Sequence, residues 1–318
     1  MVKCKECGEK FKDDKSLHRH LRSHNMLMVD YYHKHFPRKD LYTGKLLKFK
    51  NKEHYFNNDF ENKIHMKKWL QESPREETRK YCEALLMTRK LRKKLNYVPT
   101  EVELRSSMCP PITFLEEILE QGYYNYCLEK LELKSRHFKM PKNLSLANDP
   151  GSNSFNQMRF KIYVDTREQR PLKFKLPIEV KTLNFGDYAF SHEDYSANTY
   201  IERKSVTDFI GTMSGGLERF KKEIERAKQQ NQSLIILVEE SLTNCLSFNH
   251  LPYVSKKIRA NPDFIFHNVK DLLQEYSHIQ FLFVKGRVEA SRVIEKLFVN
   301  GGIYKNYDLQ LAYNLKEL

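Results

Sequence analysis

From residue 159 onward, β-prone runs and helical stretches take turns along the chain, and that alternation restricts the fold more than any other feature. FKIYV ends in Asp165, IEVKTLNFGDYAF approaches Gly186-Asp187-Tyr188, and TYIERK leads into the helix start SVTDFI. SLIILVEE and HIQFLFV are continuous apolar runs, the pattern of strands covered on both faces inside a sheet. LERFKKEIERAKQ reads as an amphipathic helix, with Phe220, Ile224 and Ala227 on one face and Lys and Arg over the rest. ASRVIEKLF reads as a further helix. Strands alternating with helices predict an α/β domain with a central sheet flanked by helices.

The charged residues of this region fall where strands end. Asp165 closes one strand, and neighbouring strands are expected to set Asp187 and Glu202 side by side. Oxygen ligands that converge as like charges suit a hard cation such as Mg²⁺ or Mn²⁺. Lys204 follows Glu202 by two residues, so on a strand both side chains face the same way. An ammonium beside a metal-bound water orients it or helps deprotonate it, and neutralises charge on a phosphate. Arg203 is expected on the opposite face or at the phosphate, as a fixed cation with a fork of donors. Asp208 opens the next helix, where it caps that helix or orients a basic residue. These residues together suit metal-assisted attack of water on a phosphodiester.

VDTRE at 164–168, GDY at 186–188, ERKSVTD at 202–208 and the continuation SVTDFIGTMSGGLERF resemble the nuclease domain of the XPF family of structure-specific DNA endonucleases. That family is marked by Gly-Asp, a spacer, Glu-Arg-Lys and an Asp four residues after the Lys. The resemblance implies a restriction-endonuclease-like fold and Mg²⁺-dependent cleavage of DNA that is branched or partly single-stranded, in repair or recombination. It implies Asp165, Asp187 and Glu202 as the acidic metal-site residues and Lys204 as the catalytic lysine, with Arg167, Arg203 and Asp208 as supporting charged groups. The spacer YAFSHEDYSANTYI is a few residues longer than the family's usual one and is expected to form a longer hairpin. No tandem helix-hairpin-helix repeat, the family's means of dimerising and gripping DNA, is found after residue 290, so dimerisation is not assumed.

At the other end the chain reads CKECGEKFKDDKSLHRHLRSH. Cys4 and Cys7 are two residues apart, twelve residues precede His20, and three more precede His24. That is the C2H2 zinc-finger spacing. Cysteines on a tight hairpin and histidines one helical turn apart close a tetrahedron around one Zn²⁺, and Phe11 and Leu17 fall where a ββα unit needs its core. So small a unit takes its folding energy from the metal. Its helix is expected to present Asp13, Ser16 and Arg19 to DNA, with a reach of about 3 base pairs.

The remaining divisions are drawn on composition: a finger at 1–26, a basic and mostly helical DNA-binding region at 27–140, a linker at 141–158, and the nuclease domain at 159–318. In the basic region, YYHKHFPRKDLYTGKLLKFKNKEHYF interleaves cations with aromatics, which suits either nucleic acid or an ordinary Tyr/Phe core. EETRKYCEALLMTRKLRKKL at 76–95 reads as a helix, acidic first and basic last. Residues 97–133 loosely resemble the small helix-turn-helix repeats beside some homing and phage endonucleases; a plain helical bundle fits equally well. PKNLSLANDPGSNSFNQM has the composition of a linker.

Of the net charge of +14, +10 lies in residues 1–150, and that asymmetry points to a polyanionic partner, DNA first. No apolar run has the length of a membrane span, and the N-terminus has no signal-peptide pattern. The expectation is an intracellular protein (nuclear in a eukaryote) whose six cysteines form no disulfide framework. The competing function is a catalytically silent DNA-binding or scaffold protein of a nuclease complex. Against it stands the intact set Asp187, Glu202 and Lys204.

Overall fold

The computed structural model describes residues 1–93, 95–137, 160–192, 195–255, 258 and 260–318. The chain divides into two compact units, Met1–Tyr81 and Cys82–Leu318. Divisions drawn on composition fell at 26 and 140; the compact units part inside the region between them. The linker expected at 141–158 lies outside the described residues.

In the first unit, β1 (Val2–Lys3) and β2 (Lys10–Phe11) pair antiparallel and lead into α1 (Asp14–His20), the ββα order that the ligand spacing predicts. Cys4, Leu17 and Leu21 are buried, but so short a hairpin cannot close a core alone. Tyr31 and Tyr32 of α2 (Met28–His35), Leu47, and Tyr55 of α3 (Lys52–Asn57) complete it. The Tyr31 hydroxyl accepts from the Lys5 amide at 2.9 Å, so its buried polar end is satisfied. The aromatics interleaved with lysine are therefore largely core. A second cluster, Phe60, Met66 and Trp69, forms around α4 (Lys63–Glu72). Beside it the buried Asp40 carboxylate gathers the amides of Tyr42, Thr43 and Glu61 and the His65 ring. The helix expected at 76–95 is α5 (Arg75–Lys93).

The second unit begins within α5 and goes on to α6 (Glu101–Ser106), α7 (Ile112–Ile118) and α8 (Gly122–Asn125). Thr100 and Glu103 form a reciprocal capping box at the start of α6, and α7 begins just after Pro111. The sheet follows: β3 (Ile162–Asp165), β4 (Ile178–Lys181), β5 (Tyr188–Phe190), β6 (Thr199–Lys204), β7 (Ser233–Val238) and β8 (Ile279–Phe283), in the order β4-β3-β5-β6-β7-β8. β5 runs antiparallel to both neighbours, and the remaining pairs are parallel.

β7 is interior, as its unbroken apolar run predicts. Leu234, Ile236 and Val238 join one core cluster with residues of α9 (Val206–Met213), α10 (Leu217–Gln229), α11 (Leu242–Cys245) and α12 (Pro262–Glu275). Ile235 and Leu237 join another with α13 (Gly286–Val299), α14 (Gly301–Tyr304) and α15 (Leu309–Asn314). The result is the expected mixed sheet between two helical layers.

α6 belongs to this body. Val102 lies in the α9–α12 core, and the Glu101 amide donates to the buried Asp308 carboxylate at 2.5 Å. Among the described residues, no helix is long and apolar enough to cross a membrane.

Candidate active site

The site is built where β3, β6 and β7 end and β5 begins. Gly186 has φ +57°, and a Cβ there would stand 2.7 Å from the Ile201 carbonyl oxygen. Only glycine permits that approach. It lets the Asp187 amide donate to that same oxygen at 2.8 Å, which sets Asp187 against β6. One oxygen of the half-buried Asp187 carboxyl accepts from the Arg203 amide at 2.7 Å. Burial, and next the Glu202 carboxylate, hold the Asp187 pKa well above the usual aspartate range. Asp187 and Glu202 are thus brought together, as the strand reading expected.

Lys204 and Glu202 lie on the same side of β6, with Nζ donating to Oε1 at 2.8 Å. The Lys204 ammonium also sits 5.2 Å from the centre of the Phe220 ring on α10. Three residues along that helix is Glu223, which the sequence reading did not single out. Burial, and then the Glu202 charge, raise its pKa, against the pull of Lys204, Arg226 and Arg167. Arg226, one turn further, donates to the Asn184 carbonyl at 3.1 Å, just ahead of Gly186. One face of α10 therefore spans the cluster from Lys204 to the turn carrying Asp187.

Asp165 is 2% exposed, and both its oxygens are occupied by N–H donors. Oδ1 accepts from the Arg167 amide and Nε at 2.8 and 2.6 Å; Oδ2 accepts from Arg167 Nη2 at 3.1 Å and the Leu183 amide at 2.7 Å. Burial pushes its pKa upward, but the bonds from Arg167 and Leu183 outweigh it and leave a net lowering.

Arg203 does face away from Lys204, into a second ion network. Its Nε and Nη2 donate to Glu168 at 2.9 and 3.0 Å, and Nη1 lies 3.1 Å from Glu239. Arg287 of α13 meets the same Glu239 oxygen at 3.1 Å. The fork thus ties the ends of β6 and β7 to the turn after β3. The sequence reading gave Glu239 and Arg287 no role, although a carboxylate ending a continuous apolar strand was the available signal.

Asp208 completes a cap: its amide donates to Ser205 Oγ at 3.2 Å, and that hydroxyl donates to Asp208 Oδ2 at 2.7 Å.

At the finger, the ligand atoms of Cys4, Cys7, His20 and His24 all lie within 4.8 Å of one another. Cys7 Sγ is 3.2 Å from His20 Nε2, and Cys4 Sγ is 3.8 Å from His24 Nε2. Of the residues expected to meet DNA, Asp13 is the helix cap, accepting from the Ser16 amide at 2.8 Å, whereas Arg19 is exposed.

Fold and site together define an α/β domain with a carboxylate–lysine centre at one end of a mixed sheet. Residues 164–297 match the ERCC4 domain, which supports a DNA-nuclease family for this part of the chain, less than half of its length. Among solved structures, XPF from Aeropyrum pernix in complex with DNA and XPF from Aeropyrum pernix each align at 23% identity and a TM-score of 0.35. They cover 46% and 45% of this chain and 66% and 63% of those chains, so the aligned part spans a little under two thirds of each. No curated protein matches.

Proposed function

We propose that the chain is a metal-dependent DNA endonuclease that cuts branched or partly single-stranded DNA. The observation that carries this reading is the joining of Asp187 and Glu202 with Lys204 at 2.8 Å from Glu202. The donor set fits a hard divalent cation. Both carboxyl groups supply oxygens, and the upward push on Asp187 is the mark of a buried like-charge pair that a cation would relieve. Asp187 and Glu202 would hold Mg²⁺ or Mn²⁺. A bound ion would supply Lewis-acid polarisation of the phosphate and a more acidic water.

The chain's own groups do the rest. Lys204 orients the attacking water or offsets charge on the phosphate, and the Phe220 ring and Glu202 fix its ammonium. Arg203 acts through Glu168 and Glu239 as a strut, not as a phosphate ligand. Asp165, expected as a third metal ligand, has its oxygens on Arg167 and Leu183; in this reading it positions Arg167, whose side chain is 68% exposed and available to DNA.

For the finger, two thiolates and two imidazoles that close together suit tetrahedral Zn²⁺. Arg19 is the finger residue left for DNA. The proposed arrangement is a DNA-binding N-terminal region feeding a C-terminal nuclease domain, in an intracellular, DNA-associated protein.

The test is cleavage of a labelled panel with Mg²⁺ (duplex, flap, splayed-arm and single-stranded DNA) beside the Lys204→Ala protein. Metal-dependent cutting that the variant lacks supports the reading. Tight binding without cutting on any substrate overturns it in favour of a silent DNA-binding protein.

A further inference from the structure

An open sheet has two edges, and this one is closed at only one of them. At β8 the Phe283 amide donates to Gln310 Oε1 of α15 at 2.8 Å, and Gln310 Nε2 donates to the Phe283 carbonyl at 3.3 Å. Nearer the start of the strand, Gln280 Nε2 donates to the Tyr307 carbonyl and Oε1 accepts from the Leu309 amide, both at 3.1 Å. β4, at the other edge, has no such cover among the described residues, and all four of its residues are exposed.

The ladder decides which backbone groups β4 offers. The Ile162 amide donates to the Pro177 carbonyl at 2.9 Å. Alternate residues of a parallel strand bond the same neighbour, so Glu179 and Lys181 turn their backbone groups to β3, and Ile178 and Val180 turn theirs outward. The side chains of Ile178 and Val180 are 51% and 62% exposed. An unpaired edge is a template for another strand unless something blunts it. Charges commonly do so, but here they are of both signs, and their order complements itself.

Antiparallel pairing of two copies about Val180 sets Val180 opposite Val180 and Ile178 opposite Thr182. It also sets Glu179 opposite Lys181 of the second copy, twice by the two-fold symmetry. The Glu179–Lys181 pairs then fall at the non-hydrogen-bonded positions, where opposed side chains come closest. A shift of two residues in either direction puts Glu179 opposite Glu179 or Lys181 opposite Lys181. Parallel, in-register pairing sets like beside like as well. Glu179 already has Lys161 at 3.0 Å, and its second oxygen can take the other copy's ammonium.

We propose that β4 is the contact of a symmetric dimer, in which two copies of this chain join their six-stranded sheets edge to edge. Stable interfaces bury roughly 800 Å² a side, and one strand edge offers less, so the dimer is weak and forms with concentration. The contact does not depend on cleavage, so it stands or falls separately from the nuclease reading.

The experiment is sedimentation velocity of the full chain without DNA, over roughly 1 µM to 1 mM. A reversible monomer–dimer equilibrium is expected. Glu179→Lys and Lys181→Glu, both at exposed positions, each set like charges opposite at both pairs and weaken association about tenfold. An equimolar mixture of the two variants sets opposite charges face to face again and recovers the wild-type dimer, which a folding defect in either variant would not allow. Val180→Pro removes an outward donor, leaves the β3 ladder intact and abolishes the dimer. A wild type that stays monomeric throughout overturns the proposal. So does a dimer that both charge variants keep, which places the contact on another surface, and so does a mixture no more associated than its components.

Discussion

In the first unit the clustered ligand atoms of Cys4, Cys7, His20 and His24 adjoin the core through the buried Cys4, with Cys7 exposed; in the second the acidic cluster stands at the rim of a sheet already built. β1 and β2 are two residues each, and the core around Leu17 needs tyrosines from α2 and α3 to close. By contrast, β7 alone buries alternate faces into two large clusters. A metal at the finger would supply folding free energy. A metal between Asp187 and Glu202 would relieve a repulsion that the sheet already tolerates. On the proposed reading, metal ligation would serve cohesion in one place and reactivity in the other.

If the finger holds zinc as proposed, chelating it should show the largest effect, on the order of 10 kcal/mol of folding free energy. Near-UV circular dichroism should lose the signal of Tyr31 and Tyr32 together with the finger, because they share its core. A native tyrosine signal in the metal-free protein would mean that the aromatic cluster, not the metal, holds this unit. At the other centre, Lys204→Ala should lower cleavage by about 10³-fold while far-UV dichroism of the sheet persists. Loss of the sheet would make Lys204 a structural cation instead.

Gly186→Ala should cost the second unit about 2–3 kcal/mol, read by urea unfolding, because the new Cβ meets the Ile201 carbonyl at positive φ. Wild-type stability there would show that β5 and β6 can shift apart.

A smaller effect comes through pH. The folded-state pKa of Asp187 is raised, so its favourable contribution is complete below the ordinary aspartate pKa and is lost as pH rises through the raised value. Metal-free Asp187→Asn should therefore gain in Tm over the wild type as pH goes from about 4 to 8. A difference that is flat with pH would remove the like-charge pair from the account. Smallest is Asp208→Ala, about 0.5 kcal/mol from the lost bond of Ser205 Oγ to Asp208 Oδ2 and the lost first-turn charge, since the Ser205 cap of α9 stays, with cleavage only slightly lower. A loss of cleavage as deep as that of Lys204→Ala would move Asp208 into the reacting group.

The strands were legible because β7 and β8 are apolar without interruption and β3 and β6 end in charge. Their order was not, since pairing β4 beside β3 and β5 between β3 and β6 depends on contacts distant in sequence. Asp187, Glu202 and Lys204 stood out as charges flanking β-prone runs. Glu223 did not, because on a helix dense in Lys, Arg and Glu nothing local marks which face meets a strand end. Glu168 was within the quoted VDTRE, yet its role depends on Arg203, which lies across the sheet. Asp40 was likewise silent: its buried hub is assembled from turns and a helix start, each of them ordinary in sequence.

The bond from the Glu101 amide to Asp308 joins positions 207 residues apart. On the ribosome, α6 emerges long before α15 exists, so for most of synthesis the start of α6 must wait with its partner missing. Glu101 in turn accepts from the Ile112 amide at 2.7 Å, which ties α7 into the same delay. A chain stalled before residue 308 should be open to protease around residues 101–112, and release of the full chain should close that window. A fragment started at residue 159 would carry the opposite defect, a buried aspartate stripped of the Glu101 amide that answers it.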